Sequence, residues 1–84
     1  MREPAVTAGK TGVLLTWLQI ENNAFHLWMK AYNPLSGWGP ASRVDTLTAS
    51  VGNYQTARDG SGSFYVIWTQ GDEATSGVYA KIVK

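Results

Sequence analysis

Apolar positions along this chain fall into short runs that polar or glycine-rich clusters interrupt. The two sharpest are Val13-Leu14-Leu15-Thr16-Trp17-Leu18-Gln19 and Phe64-Tyr65-Val66-Ile67-Trp68-Thr69-Gln70. Both are apolar at successive positions, so both faces of an extended chain are apolar, which predicts interior strands covered on two sides. Phe25 to Tyr32 alternates instead. Phe25, Leu27, Met29 and Ala31 share one face, and His26, Trp28, Lys30 and Tyr32 share the other. That pattern predicts a half-buried strand with His26 and Trp28 on its outer face.

Weaker runs predict strands around Ala5 to Ala8, Ser42 to Thr46, Tyr54 to Arg58 and Gly77 to Lys84, for seven in all. Turn residues separate them. Asn22-Asn23 lies within a turn over Ile20 to Ala24, and asparagine tolerates the left-handed backbone of tight turns. Asn33 to Gly37 is a loop, because Pro34 has no N–H for a ladder. Thr48 to Asn53 reads as a connection, Asp59-Gly60-Ser61-Gly62 as a turn and Gly71 to Ser76 as a polar turn. No span carries the 3.6-residue apolar period and caps of a helix. The expected class is all-β with antiparallel sheets.

The pattern also repeats. Trp17-Leu18-Gln19 returns as Trp68-Thr69-Gln70, a spacing of 51 residues (68 − 17). At the same spacing Leu27-Trp28-Met29-Lys30 meets Val78-Tyr79-Ala80-Lys81. Gly12 and Gly62 are 50 apart (62 − 12), so one residue is inserted between glycine and tryptophan in the second copy. A period of about 50 residues suits a four-stranded sheet unit with its loops. The first copy spans about 4–53 and the second about 54–84. The first is expected to hold four strands and the second three, leaving an edge open to pairing with another chain.

The turn Asp59 to Gly62, the strand ending Trp68-x-Gln70, the aliphatic–aromatic strand Val78 to Lys81 and Gly37-Trp38-Gly39-Pro40 together resemble bacterial β-propeller-type tandem repeats. The first copy departs from that pattern, with Gly9 in the place of Asp59. The resemblance implies about two propeller-like blades, the second incomplete, in an exported or surface protein. The chain itself shows no signal peptide at Met1-Arg2-Glu3-Pro4.

Composition narrows the chemistry. The 84 residues carry a net charge of +1 from seven Lys/Arg and six Asp/Glu, scattered without a basic stripe. Nucleic-acid binding therefore has no electrostatic footprint, and no apolar run is long enough for a membrane helix. With no cysteine and one histidine, neither disulfides nor a zinc site is expected, and no cofactor is. A core this small gains stability from self-association or from further blades. The expected partners are copies of the chain, further blades, or a carbohydrate.

Nucleophile motifs are missing, and a strand-to-helix phosphate loop has no helix to rest on. Asp59 reads as an acceptor for its own turn, since one carboxylate is too few for calcium. Asp72 and Glu73 form an adjacent carboxylate pair of solvated character. The recurring Trp17/Gln19 and Trp68/Gln70 pairs point to a packing role, because each unit must solve the same problem. Trp38 stands between two glycines and is the candidate sugar-stacking residue. Arg43 and Trp28 are the other candidate ligand residues, with Asp45 either a polar contact or part of a solvated face. The expected function is a non-enzymatic, lectin-like binding or adhesion module. The alternative is a structural protomer that assembles into a larger propeller.

Overall fold

The computed structural model describes residues 2–10, 12–45, 49–71 and 77–83. All regular structure among them is β, in eight strands. In chain order these are β1 Arg2–Ala8, β2 Val13–Glu21, β3 Ala24–Asn33, β4 Gly37–Trp38, β5 Ser42–Arg43, β6 Val51–Arg58, β7 Phe64–Gln70 and β8 Gly77–Val83. They form two antiparallel sheets. The first has the order β1-β2-β3-β4, with β5 also pairing β3, and the second has the order β6-β7-β8.

The apolar runs become the central strands. β7 keeps the predicted bounds, with the Asp59 to Gly62 turn before it and Gly71 directly after it. β2 and β3 run further than predicted, since Asn22 and Asn23 alone make the turn between them, at φ of 50° and 64°. β6 starts at Val51, three residues early. Val51 is a core residue, and a register irregularity between Val51 and Tyr54 carries the strand through Gly52-Asn53. The predicted count of seven strands rises to eight because Gly37–Trp38 pairs with the end of β3. The predicted fourth strand contracts to Ser42–Arg43. Thr46 and residues 72–76, including the Asp72–Glu73 pair, lie outside the described residues.

The two three-strand meanders share one pairing scheme. Leu15 lies between Val6 and Lys30, and Val66 lies between Thr56 and Lys81. Trp17 faces Trp28 across the ladder as Trp68 faces Tyr79. The extra residue of the second copy falls in its first hairpin, which links β6 to β7 through 59–63 where 9–12 links β1 to β2.

The sheets face each other across one core. Leu14, Leu18, Leu27 and Val44 from the first meet Val51, Phe64, Val66 and Trp68 from the second. Opposed residues of an antiparallel pair share a face, so each sheet also has an outer face. On the first it carries Val6, Leu15, Trp17, Trp28 and Lys30. On the second it carries Ala57, Tyr65, Ile67, Val78, Ala80 and Ile82. Ile67 is 49% exposed, so β7 is covered on one side and not, as its apolar run predicts, on two.

Candidate functional site

Two regions hold the residues with chemical potential. The first is buried, between the sheets. Here Asp45 is 2% exposed and accepts hydrogen bonds from both sheets. The Leu27 N–H donates to its Oδ1 at 2.8 Å. His26 Nδ1, Gln70 Nε2 and Arg43 Nη2 approach its Oδ2 at 2.8, 2.9 and 3.1 Å. Gln70 also donates to the Ala49 carbonyl at 2.7 Å, and its Oε1 accepts from the Trp68 indole at 3.0 Å. Trp68, Gln70, Asp45 and His26 thus form one chain of hydrogen bonds across the sheet interface.

Burial pushes the Asp45 carboxyl up, but hydrogen bonds from His26, Arg43, Leu27 N–H and Gln70 outweigh it and hold the group below the ordinary carboxylate range. A buried charge so fully bonded fixes how the two sheets dock, because each alternative docking would strand it. This corrects two expectations. His26 is not a surface residue: it is 4% exposed. Alternation puts it with Trp28, but segment 43–45 runs beside β3, with Val44 N–H donating to the Leu27 carbonyl, and brings Asp45 over the imidazole. Asp45 likewise belongs to the interior and not to a solvated face.

No sequence motif marks this hub, since its members lie 19 and 25 residues apart. The only available signal is that the single histidine and an aspartate each adjoin an apolar residue, Leu27 and Val44, that the core requires.

The second region is the outer face of the first sheet. Trp28, Arg43 and Trp38 all lie along it, but they do not converge. Arg43 pairs with Trp28 in the ladder and Trp38 with Tyr32. Trp28 and Tyr32 are four residues apart on β3, about 13 Å along a strand. Arg43 is turned to Asp45, and the Trp28 indole donates to Glu21 Oε1 at 2.8 Å. Trp38 is 51% exposed. Its ring meets that of Tyr32 at 5.2 Å between centroids, and Lys30 Nζ stands 6.0 Å from it. A nearby depression of about 270 Å³ is lined by Gly12, Gly37, Gly39 and Gly62 together with Tyr32 and Phe64.

The recurring tryptophans make the same local bond. Trp17 Nε1 donates to Gln19 Oε1 at 3.0 Å, as Trp68 does to Gln70. Their surroundings differ. Trp68 and Gln70 are buried between the sheets, whereas Gln19 is exposed on the outer face.

Asp59 closes its own hairpin, accepting from Ser61 N–H at 2.8 Å, Ser61 Oγ at 2.6 Å and Tyr65 Oη at 2.5 Å. Its carboxyl is held well below the usual range, first by the Ser61 hydroxyl. Among the described residues no cluster of His, Asp and Glu could hold a metal ion, and no helix is long and apolar enough to cross a membrane. No protein-family model, curated protein or solved structure matches the chain.

Proposed function

We propose that the chain is a non-enzymatic structural module whose two sheets are successive blades of a propeller-like stack, completed by further sheets of the same kind. One observation carries this reading. The second sheet buries its Trp-x-Gln face against the first, while the first sheet presents the equivalent face, with Trp17, Gln19 and Leu15, outward. A docking of unlike faces can be repeated: each added sheet buries one free face and offers another. The opposite end supports the same reading, since Ile67, Val78 and Ile82 are 49%, 73% and 56% exposed on one face of the second sheet. Exposed apolar residues gathered on one face mark interaction surfaces. The test is molar mass by light scattering across a concentration series. A mass that rises to a multiple of 9.2 kDa is expected. A folded monomer up to hundreds of micromolar would refute it.

Carbohydrate binding at Trp38 is a second reading, favoured by that ring's exposure beside Tyr32 and Lys30. An exposed indole can stack on the apolar face of a sugar while a neighbouring cation or hydroxyl meets its polar rim. A glycan array answered by the native chain and lost in Trp38→Ala supports it. An array blank for both, with no change in tryptophan fluorescence on adding sugars, removes it.

A further inference from the structure

We infer that a second copy of this chain occupies the outer face of the second sheet, in the register that the chain already uses between its own sheets. This rests on the assembly reading above and names its partner and its contacts. The repeat supplies the register. Thr7, opposite Leu14, corresponds to Ala57, opposite Tyr65; Thr56, opposite Val66, corresponds to Val6, opposite Leu15. Each cross-sheet contact within the chain therefore designates a contact between copies.

Inside the chain, Thr7 Oγ1 meets Thr56 Oγ1 at 2.5 Å. The corresponding pair between copies is Ala57 with Val6. Thr16 Oγ1 donates to the Tyr54 hydroxyl at 3.3 Å; Ile67 stands on β7 where Thr16 stands on β2, while the place of Tyr54 falls in the register irregularity of β1 between Arg2 and Ala5. At the Thr7–Thr56 position a polar pair inside becomes an apolar pair outside, on both partners together. A single mismatch, a lone hydroxyl facing a methyl, would have left a polar group buried without a partner.

A third contact swaps size. A Cβ on Gly9 would lie 2.7 Å from the Phe64 ring, so a side chain there would displace the ring. The corresponding pair is Asp59 with Val13: where the ring shrinks to valine, the glycine is replaced by a residue with a side chain. Val6 is 69% exposed and Ile67 49%, so the residues the register brings together are among those the single chain leaves in water.

The junction between copies is heterologous, because an outer face of the first sheet meets an outer face of the second. It closes into a ring or extends as a filament according to the rotation per step.

The chain has no native cysteine, so single thiols report the register directly. Val6→Cys and Ala57→Cys chains are oxidised alone and mixed, at a concentration where light scattering shows association. The mixture is expected to give a disulfide-linked dimer and each chain alone none. Adding Ile67→Lys to the Ala57→Cys chain is expected to abolish the linked species; that position faces water, so circular dichroism should stay native. An oligomeric mass with no mixed cross-link, or with Val6→Cys linking to itself, overturns this register and leaves the assembly reading standing. A monomer at all concentrations overturns both. Equal linking in all three samples marks random collision and also overturns it.

Discussion

The two Trp-x-Gln strands are a comparison built into one molecule. β2 and β7 carry the same indole-to-carboxamide bond at the same length, 3.0 Å. In β7 the pair is closed off by a second sheet, and Gln70 reaches on to the Asp45 carboxylate. In β2 the pair stands on an outer face. The local bond therefore does not depend on burial. Each sheet therefore carries the same Trp–Gln unit whether or not another sheet covers it. What distinguishes the two environments is the partner: Leu14, Leu18, Leu27 and the Asp45 hub for one, and a further sheet, on the proposal above, for the other.

Substitutions at equivalent positions separate these contributions. Trp68→Ala should cost about 3–5 kcal/mol of folding stability, as for large-to-small changes in a core, while Trp17→Ala in dilute solution should cost about 1 kcal/mol or less, as for surface changes. Denaturant titration of the two variants reads the difference directly. Equal losses would mean that Trp17 is buried in the lone chain.

Asp45→Ala should cost about 3 kcal/mol, because it strands His26, Arg43 and Gln70 without their shared acceptor. The same titration measures it, and near-neutrality would show the hub to be dispensable. Gln70→Ala should cost about 1–3 kcal/mol, the penalty for one buried group left unbonded, with Gln19→Ala within about 0.5 kcal/mol of native.

The smallest effect concerns acid. The fold depresses the Asp45 carboxyl, so its contribution is complete above the ordinary value of 3.8 and is lost as pH falls below it. Thermal melts between about pH 6 and 2 should show an acid-induced decline that is shallower in Asp45→Asn. An identical slope in both chains would assign the acid sensitivity elsewhere.

Much of the frame is legible in the residues, and for physical reasons. A doubly apolar run closed by Asp59 to Gly62 on one side and Gly71 on the other has no alternative to being a central strand. The repeat of Trp, Gln and Lys carries over to the register because pairing partners are conserved with it: Lys30 and Lys81 stand opposite Leu15 and Val66. Other parts are not legible. β4 is two residues long and owes its place to the Tyr32–Trp38 pairing, which no short window encodes. His26 looks like a surface residue because alternation along β3 says nothing of the segment 43–45 that runs beside it. The Asp45 hub gathers residues from β3, from the segment after β5 and from the end of β7, so only the docked sheets reveal it. The three candidate ligand residues share a face but lie spread along it, and spacing in sequence does not predict that separation.

The most direct test of the equivalence between the two strands follows the indole N–H protons of Trp17 and Trp68 by NMR hydrogen exchange over a concentration series. Trp68 should be protected at every concentration. Trp17, whose bond to Gln19 lies on an exposed face, should exchange faster than Trp68 in dilute samples and become protected in step with the rise in mass measured by light scattering. A Trp17 proton that stays unprotected while the mass rises would contradict the claim that its face is where the next sheet docks.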